Sequence, residues 1–363
     1  MIAHALGRCS IQHVGKQRNG KPRFWCVVHQ ANATGRYGAR LDACEGSYLD
    51  RGDARKLLRL TSGQYAGGVA MWGAVRPAYD TSGLPPETGI HVHARGERDG
   101  DKEIDDTFDA VAVSLSKDLL EASETILTSE TAVNFYLSRF LNRDIRTLHC
   151  SFCGEAHLDS GYFAVKPHRR HLCHGCGHYF NDTGKAVSNP IASLQHSLRA
   201  GSKGAIPVRA PRSLDIRQAD YPGGIQVWAS NPALVWTSEK PEEEGLHVHL
   251  FSAPGQIVID DTFDRVIIDG VELNESHVQY FMAQGALPHL ANKVVALNCP
   301  RCDVPHFDKG DRAIFPHRSH ECESCKSVFT SPGKRLLVSN PFVAVSKQLI
   351  SNLTSNNANR SSS

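Results

Sequence analysis

Hydrophobic and polar residues alternate in short runs along much of the chain, a pattern more typical of strands than of long helices. Residues 245–250 alternate histidine with aliphatic residues, and residues 257–259 and 266–268 are short runs rich in β-branched side chains. A period of two places alternate side chains on opposite faces of a strand. These runs therefore predict a small antiparallel sheet.

A stretch with helical spacing follows the strands in each half of the chain. The apolar residues at helical intervals are Ala132, Phe135, Tyr136 and Phe140 in the first half and Val278, Phe281 and Met282 in the second. Ser129 and Asn274 are the expected N-caps, and Pro288 is expected to end the second helix. Strands followed by a helix in each half indicate an α+β fold.

The two halves share short sequence segments. The matching pairs are 67–72 with 223–228, 89–93 with 245–249, and 104–109 with 259–264. Further along, residues 150–173 and 299–322 are identical at 11 of 24 positions. The sequence therefore predicts an internally duplicated unit of a small antiparallel sheet, a helix and a cysteine-rich segment. The predicted domains are a basic N-terminal region (1–66), repeat unit 1 (67–195), a basic linker (196–222), repeat unit 2 (223–350) and a disordered tail (351–363).

Most of the 11 cysteines fall into two groups of four with the spacing C-x2-C-x19-C-x2-C. The groups are Cys150, Cys153, Cys173 and Cys176, and Cys299, Cys302, Cys322 and Cys325. Two Cys-x-x-Cys turns can direct four thiolates at one tetrahedral zinc ion. Both segments resemble zinc-ribbon modules. The resemblance implies one structural zinc ion in each, because four thiolates leave no position for water or substrate.

Three further cysteines lie in the N-terminal region. Cys9, His13, Cys26 and His29 would form a zinc site of two cysteines and two histidines, for which Cys44 or His4 are substitute ligands. The alternative is that these cysteines are buried free thiols. The expected cofactors are thus two zinc ions in the ribbons, with a third if the N-terminal residues form a zinc site instead of buried free thiols.

Two His-Val-His segments are candidates for an open metal site, because both histidines of such a segment lie on one face of a strand. The candidate ligands are His91, His93, Asp105 and Asp106 in the first unit and His247, His249, Asp260 and Asp261 in the second. Two histidines and one carboxylate would leave positions for a metal-bound water. Adjacent aspartates point to opposite faces of a strand, so only one aspartate of each pair can bind a metal ion together with the histidines. The alternative is a histidine face turned to solvent or to a partner.

The ribbons also share polar residues between their cysteine pairs. These are His157, Asp159, His168, Arg169 and His171 in the first ribbon and His306, Asp308, His317, Arg318 and His320 in the second. Contact with phosphate or nucleic acid is one interpretation, with His168, Arg169, His317 and Arg318 as the donors. The alternative is that His171 and His320 form hydrogen bonds within the ribbon.

Charge is segregated along the chain although the net charge is only +2. Residues 1–41 contain basic and no acidic side chains, and residues 196–217 are also mainly basic. The N-terminal residues expected to contact nucleic acid are Lys16, Arg18, Lys21 and Arg23, with Phe24, Trp25 and Tyr37 as stacking surfaces. Residues 97–130 are acidic, and residues 298–329 contain equal numbers of acidic and basic side chains, so the basic segments are the better candidates for nucleic-acid contact. The alternative is that these basic segments are solvated charged loops.

Composition and sequence motifs exclude several classes of protein. Charged residues make up 21 % of the chain, and no apolar run approaches the length of a membrane helix. The start of the chain lacks an apolar stretch of signal-peptide length, which favours a cytoplasmic protein. Signatures of P-loop, serine-hydrolase and zincin enzymes are absent. The favoured interpretation is a multi-zinc protein that binds nucleic acid. The alternatives are a metal-dependent hydrolase and a zinc-stabilised protein-interaction scaffold.

Overall fold

The computed structural model describes residues 10–16, 22–26, 31–33, 57–61, 63–85, 88–96, 102–114, 124–199, 210–230, 232–237, 244–286 and 293–360. Contacts divide the chain into two units. Unit 1 comprises Met1–Val75, Glu87–Val208 and Ala233–Glu242, and unit 2 comprises Arg76–Pro86, Arg209–Pro232 and Glu243–Ser363. Each unit thus includes a short segment that is distant in sequence from the rest of it.

Short strands dominate the described residues. The strands up to residue 188 are β1 (Ser10–Lys16), β2 (Pro22–Cys26), β3 (Ala31–Ala33), β4 (Leu57–Thr61), β5 (Val69–Ala74), β6 (Tyr79–Asp80), β7 (Gly89–Arg95), β8 (Lys102–Phe108), β9 (Ala110–Ser114), β10 (Glu124–Thr128), β11 (Ile145–Arg146), β12 (His168–Leu172) and β13 (Tyr179–Ser188). The later strands are β14 (Ser213–Ile216), β15 (Gly224–Ser230), β16 (Val235–Trp236), β17 (Gly245–Ala253), β18 (Gln256–Phe263), β19 (Arg265–Ile268), β20 (Val271–Leu273), β21 (Val294–Val295), β22 (Leu297–Asn298), β23 (Pro305–His306), β24 (Ser319–Glu321), β25 (Val328–Thr330) and β26 (Val338–Ser339).

The helices are fewer than the strands. They are α1 (Ser129–Phe140), α2 (Ile191–Arg199), α3 (Glu275–Ala286), α4 (Asp311–Ile314) and α5 (Phe342–Arg360), with 3-10 turns at Gly161–Ala164, Gln218–Asp220 and Pro332–Lys334. No described helix is long and apolar enough to cross a membrane. Helix α5 continues to Arg360, into the tail that the sequence predicts to be disordered, and its buried residues Phe342 and Leu349 lie before that tail. The mixture of sheets and helices confirms the α+β prediction.

The described residues of unit 1 form three sheets. The four-stranded sheet has the order β16-β5-β7-β8 with antiparallel neighbours, and it carries the first His-Val-His segment on β7. The six-stranded sheet β10-β9-β4-β1-β2-β3 is mixed, because β4 runs parallel to both β1 and β9. Ile90, Val92 and Ala94 on β7 are fully buried in the core. The two histidines that alternate with them therefore lie on the opposite face of the sheet.

Unit 2 contains a four-stranded antiparallel sheet of order β18-β17-β15-β6. Leu246, Val248 and Leu250 on β17 are fully buried, which again leaves the alternate histidines on the other face. The sequence assigns residues 266–268 to the same sheet, and this is wrong. They belong to β19, which pairs in parallel with β14 in a separate sheet of order β14-β19-β20. Val266 and Ile268, which alternate along β19, are both buried.

The ends of helices α1 and α3 can be compared with the caps predicted from the sequence. Thr128, not Ser129, caps α1, because Thr128 is extended and forms a reciprocal capping box with Thr131. Asn274 is placed as expected, since its Oδ1 accepts a hydrogen bond of 3.3 Å from the backbone N–H of His277. Pro288 lies outside the described residues, and α3 ends at Ala286.

Helix α1 packs so closely on strand β5 that only glycine fits at residue 73. A Cβ on Gly73 would lie 2.6 Å from the Cβ of Ala132. We expect Gly73→Ala to lower the free energy of unfolding by about 1–3 kcal/mol, the cost typical of overpacking. Urea unfolding measures this. The control is Gly285→Ala in α3, where no atom lies within 4 Å and a gain of about 0.5–1 kcal/mol is expected. Equal urea midpoints for Gly73→Ala and the wild type would contradict the packing.

Candidate metal centres

Each group of four cysteines converges in the structure. In the first ribbon, the Sγ atoms of Cys150 and Cys176 lie 3.6 Å apart, as do those of Cys153 and Cys173. The second ribbon has the same two 3.6 Å distances, for the pairs Cys299 with Cys325 and Cys302 with Cys322. Four sulfurs at about 2.3 Å from one tetrahedral zinc ion would lie about 3.8 Å apart. Each group can therefore bind a metal ion, and the ligand type favours zinc.

Backbone turns position the thiols. The N–H of Gly154 donates to the carbonyl oxygen of Cys150 at 2.8 Å, and the N–H of Asp303 donates to that of Cys299 at the same distance. Gly154 has φ 76° and Asp303 has φ 56°, both left-handed. In the second turn of each ribbon, Gly177 and Lys326 are also left-handed. The second ribbon thus keeps the turn geometry without glycine, which costs energy that metal binding can offset.

A serine hydroxyl supports the thiolates of the second ribbon. Ser327 Oγ lies 2.9 Å from the Sγ of Cys325 and 3.5 Å from that of Cys299. Its hydrogen bond is the main reason why the pKa of Cys299 is lowered to about 6. A thiolate is the form that binds zinc, so Ser327 favours metal loading at neutral pH. His178 occupies the corresponding position in the first ribbon.

The first His-Val-His segment brings three ligand atoms together. Strands β7 and β8 pair in a register that places His91 opposite Thr107 and His93 opposite Asp105. The Nε2 atoms of His91 and His93 are 2.8 Å apart. Asp105 Oδ1 lies 3.1 Å from the Nε2 of His93 and 3.5 Å from that of His91. These three atoms could hold one metal ion.

The second unit has the same arrangement on β17 and β18. The Nε2 atoms of His247 and His249 lie 3.0 Å apart, and each is 3.3 Å from the Oδ1 of Asp260. Thr262 Oγ1 is 3.1 Å from the Nδ1 of His247, and Thr107 Oγ1 is 2.9 Å from the equivalent nitrogen in unit 1. A threonine that accepts a hydrogen bond from Nδ1 leaves the Nε2 lone pair for a metal. The repeated Asp-Asp-Thr sequence could have identified both threonines.

The other aspartate of each pair is directed away from the histidines. Asp106 Oδ1 accepts a hydrogen bond of 2.8 Å from the backbone N–H of Thr107. Asp261 forms an ion pair with Arg212 at 2.6 Å. Burial opposes ionisation of Asp261, but the hydrogen bond from Arg212 outweighs it and keeps the pKa below its usual range. The pleat of the strand thus selects Asp105 and Asp260 as the carboxylates beside the histidines.

Each of these sites has a buried side and an open side. The side chain of His93 is 4 % exposed and that of Asp105 is 37 % exposed. The indole of Trp72 packs edge-on against His93 with ring centroids 5.1 Å apart. In unit 2, Trp228 packs against His249 in the same way at 4.8 Å. An ion held here would have protein ligands on one side and solvent on the other, an arrangement that leaves coordination positions for water.

A third type of cluster lies inside each ribbon. In the first ribbon, Asp159 Oδ1 is 2.8 Å from His157 Nε2, 3.1 Å from His171 Nδ1 and 3.3 Å from His168 Nε2. The other oxygen of Asp159 accepts a hydrogen bond of 2.7 Å from the backbone N–H of Ser188. His157, Asp159 and His171 are buried. The structure therefore turns these imidazoles inward onto one carboxylate, whereas the neighbouring Arg169 is exposed.

The second ribbon repeats this cluster. Asp308 Oδ1 is 2.8 Å from His306 Nε2, 3.2 Å from His317 Nε2 and 3.3 Å from His320 Nδ1. Burial would raise the pKa of Asp308, but hydrogen bonds from His306 and His320 and from the N–H of Ser339 hold it well below its usual range. Sequence analysis missed Ser188 and Ser339. The signal was the Val-Ser-Asn-Pro sequence that follows the last cysteine in both halves.

Several predicted sites fall outside the described side chains. These are the N-terminal zinc-site residues Cys9, His13, Cys26 and His29, their substitutes His4 and Cys44, and the basic residues Lys16, Arg18, Lys21 and Arg23. They remain predictions. Of this region the structure gives the backbone of β1 and β2, which pair in antiparallel fashion.

The two four-cysteine clusters, with their similar turns, suggest a repeat and confirm the ribbon-like ligand sets predicted from spacing. Comparisons with protein-family models, curated proteins and solved structures find no match to this chain. The functional assignment therefore rests on the geometry of the metal centres.

Proposed function

We propose that this protein is a multi-zinc, metal-dependent hydrolase. The four-cysteine clusters are its structural sites, and the two sites formed by His91, His93 and Asp105 and by His247, His249 and Asp260 are its catalytic sites. The observation that carries the proposal is the convergence of two Nε2 atoms and one carboxylate oxygen on a common point in both units. Its recurrence also supports an internal duplication in which both copies keep the site.

A bound cation explains this convergence better than hydrogen bonds do. A hydrogen bond between two imidazole nitrogens uses one proton, and the carboxylate oxygen beside them has none to give when ionised. A divalent cation instead interacts favourably with all three lone pairs at once. Ligands at about 2.0–2.1 Å from a tetrahedral ion lie about 3.3 Å apart. Asp260 Oδ1 lies 3.3 Å from both histidine nitrogens of its site, whereas those two nitrogens lie closer together, at 3.0 Å. The three atoms are therefore close to the spacing of ligands around one ion.

Each residue then has a defined task. His91 and His93 bind the ion as neutral imidazoles, and Thr107 holds His91 in the tautomer that directs Nε2 at the metal. Asp105 would supply the negative charge that offsets the ion, and its side chain is 37 % exposed, so that solvent can reach the site. Trp72 covers one side of the histidines and lowers the local dielectric. A zinc ion held by these residues would supply an activated water for hydrolysis near neutral pH.

Metal removal tests the proposal. We expect the protein to hydrolyse a chromogenic ester or phosphodiester, such as bis(p-nitrophenyl) phosphate, with a rate that rises as the pH passes about 7. Brief treatment with dipicolinate should abolish the rate and added zinc should restore it, while the zinc ions of the four-cysteine clusters stay bound. An unchanged rate in the chelator-treated protein would contradict a metal-dependent reaction.

Nucleic-acid binding is a second candidate, favoured by the surface of the first ribbon. The guanidinium of Arg170 lies 4.1 Å from the ring centroid of Tyr179, which is 54 % exposed. Phe152 is 63 % exposed and stacks on His178 with ring centroids 4.6 Å apart. Exposed aromatic rings next to basic side chains are the usual surface for stacking single-stranded bases. The second ribbon has Ser319 and Val328 in place of Arg170 and Tyr179.

Salt dependence tests nucleic-acid binding. We expect a single-stranded oligonucleotide to bind with an affinity that falls steeply with salt, because phosphate contacts release counterions. Arg169→Ala with Arg170→Ala should weaken binding and reduce the slope, and so should neutralising Lys16, Arg18, Lys21 and Arg23. The control is Arg265→Ala, an exposed residue paired with Glu272 in unit 2. Binding that does not change with salt would exclude this role.

A further inference from the structure

Each ribbon contains a set of four potential ligands besides its cysteines. The sets are His157, Asp159, His168 and His171 in the first ribbon and His306, Asp308, His317 and His320 in the second. We infer that each set binds a second metal ion, most naturally zinc, in a closed three-histidine, one-aspartate site. The ribbons would then be two-metal modules, and this inference is independent of the proposed hydrolase activity.

The tautomer of His317 is the strongest argument. Its Nδ1 lies 3.1 Å from the carbonyl oxygen of Phe315, and a carbonyl only accepts, so Nδ1 carries a proton. In the neutral ring, Nε2 then carries a lone pair. That Nε2 is buried and has no hydrogen-bond partner among the described residues, although Asp308 Oδ1 is 3.2 Å away. A lone pair facing a carboxylate oxygen is repulsive, so either the ring is doubly protonated and forms an ion pair with Asp308, or a metal cation lies between the two atoms.

The same arrangement occurs in the first ribbon. His168 Nδ1 faces the carbonyl oxygen of Lys166 at 2.9 Å, which again directs the Nε2 lone pair toward Asp159. Both ribbons thus direct the same imidazole nitrogen at the same carboxylate. Their outer surfaces differ, since Arg170 and Tyr179 correspond to Ser319 and Val328. The inner clusters are alike where the surfaces are not.

The number and burial of the ligands indicate a structural site. Three nitrogens and one oxygen complete a tetrahedral shell and leave no position for a substrate. Asp308 is 3 % exposed and His320 is fully buried. With neutral histidines and one carboxylate, a divalent ion leaves a net positive charge in the cluster. The four-cysteine zinc site in the same ribbon has a net negative charge, so the two sites would stabilise each other electrostatically.

A metal-free hydrogen-bond network is the competing explanation. In it, His157 and His171 donate to Asp159, and the four residues act only as a polar core. Removing His168 would then weaken the fold without changing the metal content. The two explanations therefore differ in zinc stoichiometry, which a structural role alone does not alter.

The test is a zinc count on the full chain after reconstitution with zinc and removal of loosely bound ions. We expect the variant His168→Ala, His317→Ala to contain two zinc ions fewer than the wild type. The matched control is Arg169→Ala, Arg318→Ala, which changes the adjacent exposed residues and should keep the full count. Zinc released by a thiol-specific mercurial shows whether the four-cysteine sites, and thus the ribbons, remain intact. Equal zinc content in the intact histidine variant would overturn the inference.

If the histidine variant does not fold, X-ray absorption spectroscopy can identify the atoms that bind zinc in a protein that keeps all of the ribbon histidines. The protein used is the Asp105→Asn, Asp260→Asn variant, which removes the proposed catalytic ions and leaves the ribbons unchanged. Two-metal ribbons predict zinc with similar numbers of sulfur and nitrogen or oxygen neighbours. A shell dominated by sulfur would overturn the inference, and it would do so whether or not the hydrolase proposal holds.

Discussion

Replacing Asp105 and Asp260 by Asn is expected to abolish hydrolysis and to remove two metal ions per chain. Asparagine keeps the shape of the side chain but loses the charge that offsets the divalent ion. Loss of an outer-shell partner of a metal ligand already costs about 10- to 100-fold in affinity or activity. Loss of a charged ligand should cost more, so we expect a fall in rate of more than about 100-fold. Elemental analysis and the chromogenic assay measure both effects on one preparation.

The neighbouring residue provides the control. Asp106→Asn changes the same residue type one position along the strand, on the face directed away from His91 and His93. Its metal content and rate should equal those of the wild type. If Asp106→Asn and Asp105→Asn lowered the rate equally, the carboxylates would act through general charge and the proposed ligand set would be wrong. An intact rate in the Asp105→Asn, Asp260→Asn variant would exclude these residues from catalysis.

Cys322→Ser is expected to unfold the second ribbon. Metal binding in small zinc modules contributes on the order of 10 kcal/mol, and this binding energy is also folding energy. With three thiolates left, residues 297–340 should lose the zinc ion of the four-cysteine site, together with the second ion inferred for this ribbon, and become accessible to hydrogen exchange, while unit 1 keeps its protection. Hydrogen-exchange mass spectrometry and zinc analysis measure these effects.

A second substitution in the same turn separates metal loss from local damage. Ser324→Ala alters an exposed residue between Cys322 and Cys325 and leaves all four thiols in place. It should retain its zinc and its protection from exchange. A Cys322→Ser protein with full zinc content and normal exchange in the second ribbon would contradict a structural four-cysteine site.

The sequence alone predicts which cysteines and histidines are candidate metal ligands, but it does not predict which aspartate lies beside each histidine pair. The spacing of Cys299, Cys302, Cys322 and Cys325 predicts the four-cysteine cluster because each pair lies in one short turn. The period of two places His91 and His93 together for a similarly local reason. Which aspartate joins them depends on the register between β7 and β8, a property of the strand pairing. Because neighbouring side chains on a strand point to opposite faces, only one aspartate of each pair can lie beside the histidines. The register between β7 and β8 places Asp105 there.

Long-range pairing is what the sequence could not provide. Strand β16 pairs with β5 in unit 1, and β14 pairs in parallel with β19 in unit 2. Both pairings join segments that are far apart in sequence, and neither follows from local periodicity. For the same reason, the sequence does not predict that His157 and His168 contact Asp159 inside the ribbon. A hydrogen bond from the backbone N–H of Ser188, which lies beyond the last cysteine of the first ribbon, helps to fix that carboxylate.

The most direct test of the central claim is an anomalous difference map at the zinc absorption edge, from crystals of the full chain loaded with zinc. We expect peaks between the Nε2 atoms of His91 and His93 and the Oδ1 of Asp105, and at the equivalent point beside His247, His249 and Asp260. Peaks at the four-cysteine clusters should accompany them. Strong peaks at those clusters without any peak at the two histidine sites would contradict the claim that this protein holds open, catalytic metal ions.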